Sequence, residues 1–227
     1  MTTHPRATFS IVSLSAAALA LSACTAASST PSAPASSNSS SCPTAAPTAA
    51  EAPGVIAGAE RAVVVTSLGT FTLELYPDAA PIATANFLAL ARCGFYDGIS
   101  FHRVLAGFVA QAGDPQTREN RADFEGVGTG GPGYSFVIEP VADGYNYDPY
   151  VVAMAHSSLP DSNGSQFFID LGDLDGRLAR DYTIFGMVIE GTDVIDAIGS
   201  VAVNDPERGV PLDPVVIQSV TIGSAGS

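Results

Sequence analysis

The chain has no tryptophan and no lysine, holds three cysteines and three histidines, and places charge on 14% of its residues. Its nine basic residues are all arginine, set against 23 acids for a formal net charge of −14. No basic stripe is available to neutralise phosphates, which excludes nucleic acid as a partner. The cysteines and histidines do not fall into a zinc-ligand spacing. The acidic run Asp170, Asp173, Asp175 lacks the glycine and terminal glutamate of a calcium loop and reads as a solvated turn. Neither a metal nor another cofactor is therefore expected. Ser165 sits in Asn163-Gly164-Ser165-Gln166, which is not a nucleophile elbow. Covalent catalysis has no obvious residue to use.

Long apolar runs are also missing. Phe9 to Ala20 is the longest at the N-terminus, shorter than the roughly 20 residues that span a bilayer. Behind the weakly basic start of His4 and Arg6 it suits a signal peptide over residues 1–23. It ends in Leu21-Ser22-Ala23-Cys24, which resembles a bacterial lipobox; there the cysteine sulfur takes a diacylglyceryl group and becomes the new N-terminus. The alternative is an ordinary leader cut near Ala23. Lipidation of Cys24 would hold the protein at an extracytoplasmic membrane surface of the cell envelope without a spanning helix. Residues 24–58 are almost entirely Ala, Ser, Thr and Pro, a composition that cannot offset its own ordering entropy, and are expected to be a disordered tether.

A folded domain is expected from 59 to 224. Val63-Val64-Val65-Thr66 is β-branched, and Phe71, Leu73 and Leu75 alternate with Thr72 and Glu74, so the two segments predict a hairpin about Ser67-Leu68-Gly69-Thr70. Asp78 is the expected N-cap of a helix with Pro81 in its first turn and Gly94 at its end. Short strands are expected near 99–104, 107–112, 134–138, 150–155, 166–171, 182–188 and 214–222, with a second helix over Thr192 to Ile198. Many short strands, Gly/Pro/Asp turns and two helices indicate a mainly β chain closed into an antiparallel barrel.

The densest stretch is Phe101-His102-Arg103-Val104-Leu105-Ala106-Gly107-Phe108-Val109-Ala110-Gln111-Ala112-Gly113-Asp114. By parity Arg103, Val109 and Gln111 share a face, and a break at Gly107 can bring Phe108 to the same side. His102 falls on the opposite face and reads as structural. The set joins a permanent cation and a primary amide to an apolar wall. Together with Asn163-Gly164-Ser165-Gln166-Phe167-Phe168-Ile169, Gly128 to Tyr134, Met154-Ala155, Phe185-Gly186 and Pro81 to Phe87, it resembles the cyclophilin signature from about 61 to 223.

That resemblance implies an eight-stranded β-barrel capped by two α-helices and peptidyl-prolyl cis–trans isomerase activity on proline-containing peptides or unfolded exported clients, by a monomer. It assigns Arg103 as the donor to the twisted amide, Gln111 as its orienting partner and Phe108 as part of the catalytic set. It makes Val109, Phe168, Leu174 and Tyr182 the walls of a proline pocket, Ala155-His156-Ser157 an extended clamp beside the peptide, and Gln166 the lining of a neighbouring subsite. Val109, His156, Ser157 and Tyr182 depart from residues common in the family, and Arg177 to Asp181 enlarges a loop beside the pocket. Without any tryptophan, weak binding of cyclosporin is expected. The competing reading is a non-catalytic module of the same fold that binds proline-containing segments. Cys42 and Cys93 either form a disulfide that pins the tether or stand as two separate thiols.

Overall fold

The computed structural model describes residues 41–118, 126–159 and 161–224. The expected signal peptide and Cys24 lie outside them. The first hairpin pairs β1 (Arg61–Thr66) with β2 (Gly69–Leu75) from Arg61↔Glu74 to Thr66↔Gly69. The hydroxyl of Thr66 closes its turn by donating to the Gly69 carbonyl at 2.8 Å. Ala62, Val64, Phe71, Leu73 and Leu75 are buried, as strand parity requires.

The other strands are β3 (Ser100–Phe101), β4 (Arg103–Leu105), β5 (Val109–Ala112), β6 (Val151–Met154), β7 (Phe167–Asp170), β8 (Ile184–Glu190) and β9 (Val215–Gly223). They form one sheet in the order β3-β9-β1-β2-β8-β6-β7-β5-β4. The two edge strands of that order, β3 and β4, are consecutive in sequence and separated by His102 alone. The sheet therefore curls until its edges meet, giving a nearly closed antiparallel barrel without long free edges. The strand expected over 99–104 is thus divided, and with the loss of the one expected over 134–138 the count is nine, against the eight that the resemblance implies. The segment 134–138 makes a single bridge, Phe136↔Asn163, rather than a strand. There the Asn163 amide donates to the Val137 carbonyl, occupying a group that a ladder would have used.

A short helix, α1 (Ala52–Ile56), precedes the barrel; α2 (Pro81–Arg92) and α3 (Thr192–Gly199) pack against it. Inside, Phe87 of α2 meets Tyr96, Phe185 and Phe167 at centroid distances of 5.1, 5.3 and 5.9 Å. Ile195 and Ile198 of α3 join the same core.

Two expectations are corrected. Asp78 does not cap α2, whose N-cap position is Ala80 with no side-chain bond. The Glu139 carboxylate instead accepts from the N–H groups of Ile82 and Ala83 at 2.9 and 2.8 Å. A cap reaching from 57 and 56 residues away leaves no local pattern. Of the tether expected over 24–58, residues 24–40 lie outside the described residues, and the remainder does not follow the expectation of disorder. Residues 41–58 are folded: Ala46, Val55 and Ile56 pack against the core, Ala52 is buried, and the Arg92 guanidinium donates to the Val55 carbonyl at 2.5 Å. A Cys42–Cys93 disulfide ties this segment to the end of α2. Small side chains that predict disorder by composition suit close packing once a covalent link has reduced the ordering cost.

Candidate active site

Adjacent strands set the candidate residues in a row. Arg103 of β4 pairs with Gln111 of β5, Gln111 with Phe168 of β7, and Phe168 with Ala153 of β6. Their neighbours Val104, Ala110, Ile169 and Val152 alternate into the barrel core, so the row lies on its outer wall. A second apolar cluster grows on that wall from Val109, Tyr147, Val151, Ala153, Phe168, Leu174 and Ile184, with Phe108, Ala155 and Tyr182 packed partly buried against it. Gly107, at φ +67°, makes the β4–β5 turn, and the Phe108 N–H donates to Leu105 at 2.9 Å. This sets Phe108 against the outer cluster.

Val109 and Phe168 are 3% and 4% exposed and form the floor of an apolar seat, with Phe108 and Tyr182 at its rim. Tyr182 stands edge-on to Phe168 at 5.5 Å and stacks on His156 at 4.3 Å. The His156 Nδ1–H donates to the Ser157 carbonyl at 2.7 Å, while Nε2 lies 3.6 Å from Asp181. Next to the seat opens a cleft of about 500 Å³, bounded by Gln111, the 128–134 loop, Ala155 to Ser157 and Gln166. Among the described residues no hydrogen bond or ion pair engages the Arg103 guanidinium.

The cleft's glycine-rich wall is clamped from two sides. Buried Asp114 accepts from the N–H groups of Gly128 and Gly130 at 2.6 and 3.1 Å. The Gln166 Nε2 donates to the carbonyls of the same two residues at 3.0 and 2.8 Å. Gln166 Oε1 is left to accept from Gln111 Nε2 at 2.9 Å. Gly113 sits where a Cβ would come within 2.3 Å of the Ser165 carbonyl, at φ +98°, so only glycine lets β5 run on into Asp114.

Residues 61–222 match the family described as cyclophilin type peptidyl-prolyl cis-trans isomerase/CLD. The chain belongs to the cyclophilins. It is 40% identical to the peptidyl-prolyl cis-trans isomerase A of Mycobacterium tuberculosis over 178 residues, covering 71% of this chain and 91% of that one. It is 42% identical to the peptidyl-prolyl cis-trans isomerase of Helicobacter pylori over 142 residues, 60% of this chain and 78% of the other. A crystal structure of a Cryptosporidium parvum cyclophilin type isomerase superposes with a TM-score of 0.64 at 31% identity, covering 73% of this chain and 98% of that one. The same protein in the presence of the dipeptide Ala-Pro gives 0.63 at 32% identity, covering 72% and 99%. The chain is accordingly a peptidyl-prolyl cis–trans isomerase.

Within this cyclophilin two assigned roles change. Leu174 has no exposed surface and lies within the outer cluster rather than at its rim, its N–H donating to the Tyr147 carbonyl at 2.9 Å. Gln111 does not hold Arg103: its carboxamide donates to Gln166, because both Gln166 N–H bonds are spent on the loop. His102 is buried at the barrel closure, and burial depresses its pKa to about 4 against a smaller opposing effect of Asp114, so it is neutral at pH 7.

Sequence reasoning gave no role to Asp114 or Tyr147, and the reading of Asp170 as part of a solvated turn is corrected. Tyr147 is buried, and its hydroxyl donates toward the carbonyls of Ala179 and Tyr182 and accepts from the Tyr182 N–H, holding the enlarged loop in place. Asp170 is fully buried on β7 with neither carboxyl oxygen hydrogen-bonded, and desolvation raises its pKa to about 8, helped by Asp148. An acid at the end of the run Gln166-Phe167-Phe168-Ile169 signals burial only when the pairing Val109↔Asp170 is known.

Proposed function

We propose that this cyclophilin turns X–Pro bonds in unfolded exported proteins, acting as a monomer from a lipid anchor at Cys24 in the cell envelope. Rotation must cross roughly 18–20 kcal/mol because the amide loses resonance, and uncatalysed it takes tens to hundreds of seconds. No bond to the substrate is cleaved, so the absence of an activated nucleophile is no obstacle. In the twisted state the proline nitrogen regains a lone pair, and a donor aimed there favours the transition state over the planar ground state. Arg103 is that donor, always charged and forked in a way lysine cannot match. Phe108, Val109, Phe168 and Tyr182 seat the proline ring, and Ala155-His156-Ser157 lie along the bound backbone. Gln111 and Gln166 hold the cleft wall and contact the peptide.

The observation that carries this reading is the juxtaposition of a guanidinium without a partner among the described residues and a floored apolar seat on one row of the sheet. The seat has no tryptophan to hold cyclosporin, whose binding is weak here. The envelope assignment rests on Leu21-Ser22-Ala23-Cys24. The test is a protease-coupled assay of an Ala-Pro peptide on membranes from cells producing the full chain. Turnover should sediment with the membranes, and Cys24→Ala should move it to the soluble extracytoplasmic fraction. Spontaneous-rate isomerisation in both fractions would sink the enzyme reading; turnover that stays in place in the variant would sink the anchor.

A further inference from the structure

A second cleft, of about 390 Å³, opens on the other side of Arg103 and is lined by His102, Arg103, Gln111, Val127, Arg208 and Val210, with Gly128. It brings a second guanidinium, Arg208, beside the one assigned to the isomerisation. The placement is built into the fold. The Gly209 carbonyl accepts from the Val104 N–H at 2.7 Å, next to Arg103, and the Gly209 N–H donates to the Asp205 carbonyl at 2.7 Å. Gly209 holds φ +71°, and a Cβ there would stand 2.5 Å from the Val104 carbonyl, so the turn seats flush on β4. Asn204 donates across the loop to Val210 at 2.8 Å.

The charge pattern of the cleft is unusual for a chain with 23 acids and nine arginines. Among the described residues no carboxylate lines it. Of the two acids in its turn, Asp205 folds its carboxylate back to accept from the N–H groups of Glu207 and Arg208 at 2.8 and 3.4 Å, and Glu207 is exposed and outside the cleft lining. Three other arginines are engaged: Arg92 and Arg118 donate to backbone carbonyls, and Arg180 pairs with Asp175 at 3.1 Å. Among the described residues, the side chains of Arg103 and Arg208 have no such partner. Two cations facing one recess repel each other, and an anion between them relieves that repulsion. A guanidinium pair matches a carboxylate in shape as well as charge.

We propose that Arg208 and Arg103 form a carboxylate-recognition subsite, so that this cyclophilin prefers X–Pro bonds flanked by an aspartate or glutamate. The inference rests on the placement of the proline seat given above. One flank of a bound peptide follows the Ala155 to Ser157 edge, and the other leaves over Arg103 into this cleft. Arg208 is a specificity residue acting on the flanking side chain, not on the rotating amide.

The test uses the full chain and two pairs of proline peptides, Glu against Gln at the residue after proline and at the second residue before it. In one pair kcat/KM for Glu should exceed that for Gln by roughly two- to fivefold at low salt, the range of a partly exposed ion pair, and the ratio should shrink at high salt. Arg208→Ala should bring the ratio to about one, and Arg208→Lys should restore part of it. The ratio is independent of how much variant folds. Equal rates for Glu and Gln in both pairs, or a preference that survives Arg208→Ala, overturns the subsite. Loss of all turnover in the unsubstituted chain would instead overturn the isomerase reading.

Discussion

The strands β5, β6 and β7 carry an apolar cluster on each face, and the two clusters are finished differently. The inner one, around Phe87, Phe167 and Phe185, is sealed by α2 and α3 until its large side chains lose essentially all contact with water. The outer one has an equally dry floor in Val109, Phe168 and Leu174, but its rim of Phe108, Ala155 and Tyr182 stays partly open. Burial of apolar area drives both. The inner face spends all of it on folding, while the outer face keeps an uncovered edge, the place proposed above for the proline ring. On that proposal one alternating strand pattern divides stability from binding, residue by residue.

The largest effect that sharpens this division is a truncation inside. Phe87→Ala should lower unfolding free energy by about 3–5 kcal/mol, seen as a lower denaturant midpoint, with kcat/KM per folded molecule little changed. A matching loss of specific activity would break the proposed separation. Arg103→Ala is the mirror case: kcat/KM should fall on the order of 10²-fold or more, while Tm moves by about 2 °C at most. A large Tm drop would show that Arg103 serves the fold. Replacing Cys42 and Cys93 together by serine should cost about 2–4 kcal/mol of stability, since the bridge closes a separation of 51 residues, and should leave turnover on Ala-Pro peptides intact.

Asp170 tests the outer floor by pH. Its folded pKa, near 8, lies above the unfolded carboxyl value. The folded chain thus binds more protons than the unfolded chain between about pH 4 and 8, and this group's contribution to stability falls as pH rises through that window. Buried neutral His102 acts oppositely, since its folded pKa near 4 lies below 6.5 and its contribution is lost as pH falls from about 6.5 to 4. Asp170→Asn should match the parent near pH 4 and be the more stable of the two above pH 7, by a few kcal/mol, on the order of 1.4 kcal/mol per pKa unit. Equal pH profiles for parent and variant in thermal unfolding would show that the carboxyl finds a partner.

How much could be read beforehand follows the same line. Hairpin β1–β2 was legible because its alternation is local and its turn is short. The row Arg103, Gln111 and Phe168 was legible through parity and motif together. The cap from Glu139, the Gln111–Gln166–Gly128 relay and the burial of Leu174 were not, because each depends on contacts far apart in the chain. The Ala/Ser/Pro-rich segment misled at 41–58 because composition registers the average cost of order, not the disulfide and the small crevices that offset it.

By itself the sequence determined which residues alternate, where glycines permit turns, that the chain is anionic, and which side chains are capable of the chemistry. The tertiary structure alone decided which face is sealed, which amide each glutamine satisfies, and that Arg208 stands in the same recess as Arg103. The reason is physical: torsional preference and hydrophobic period act between near neighbours, whereas closure of the barrel at His102 sets distances between residues that share no local rule.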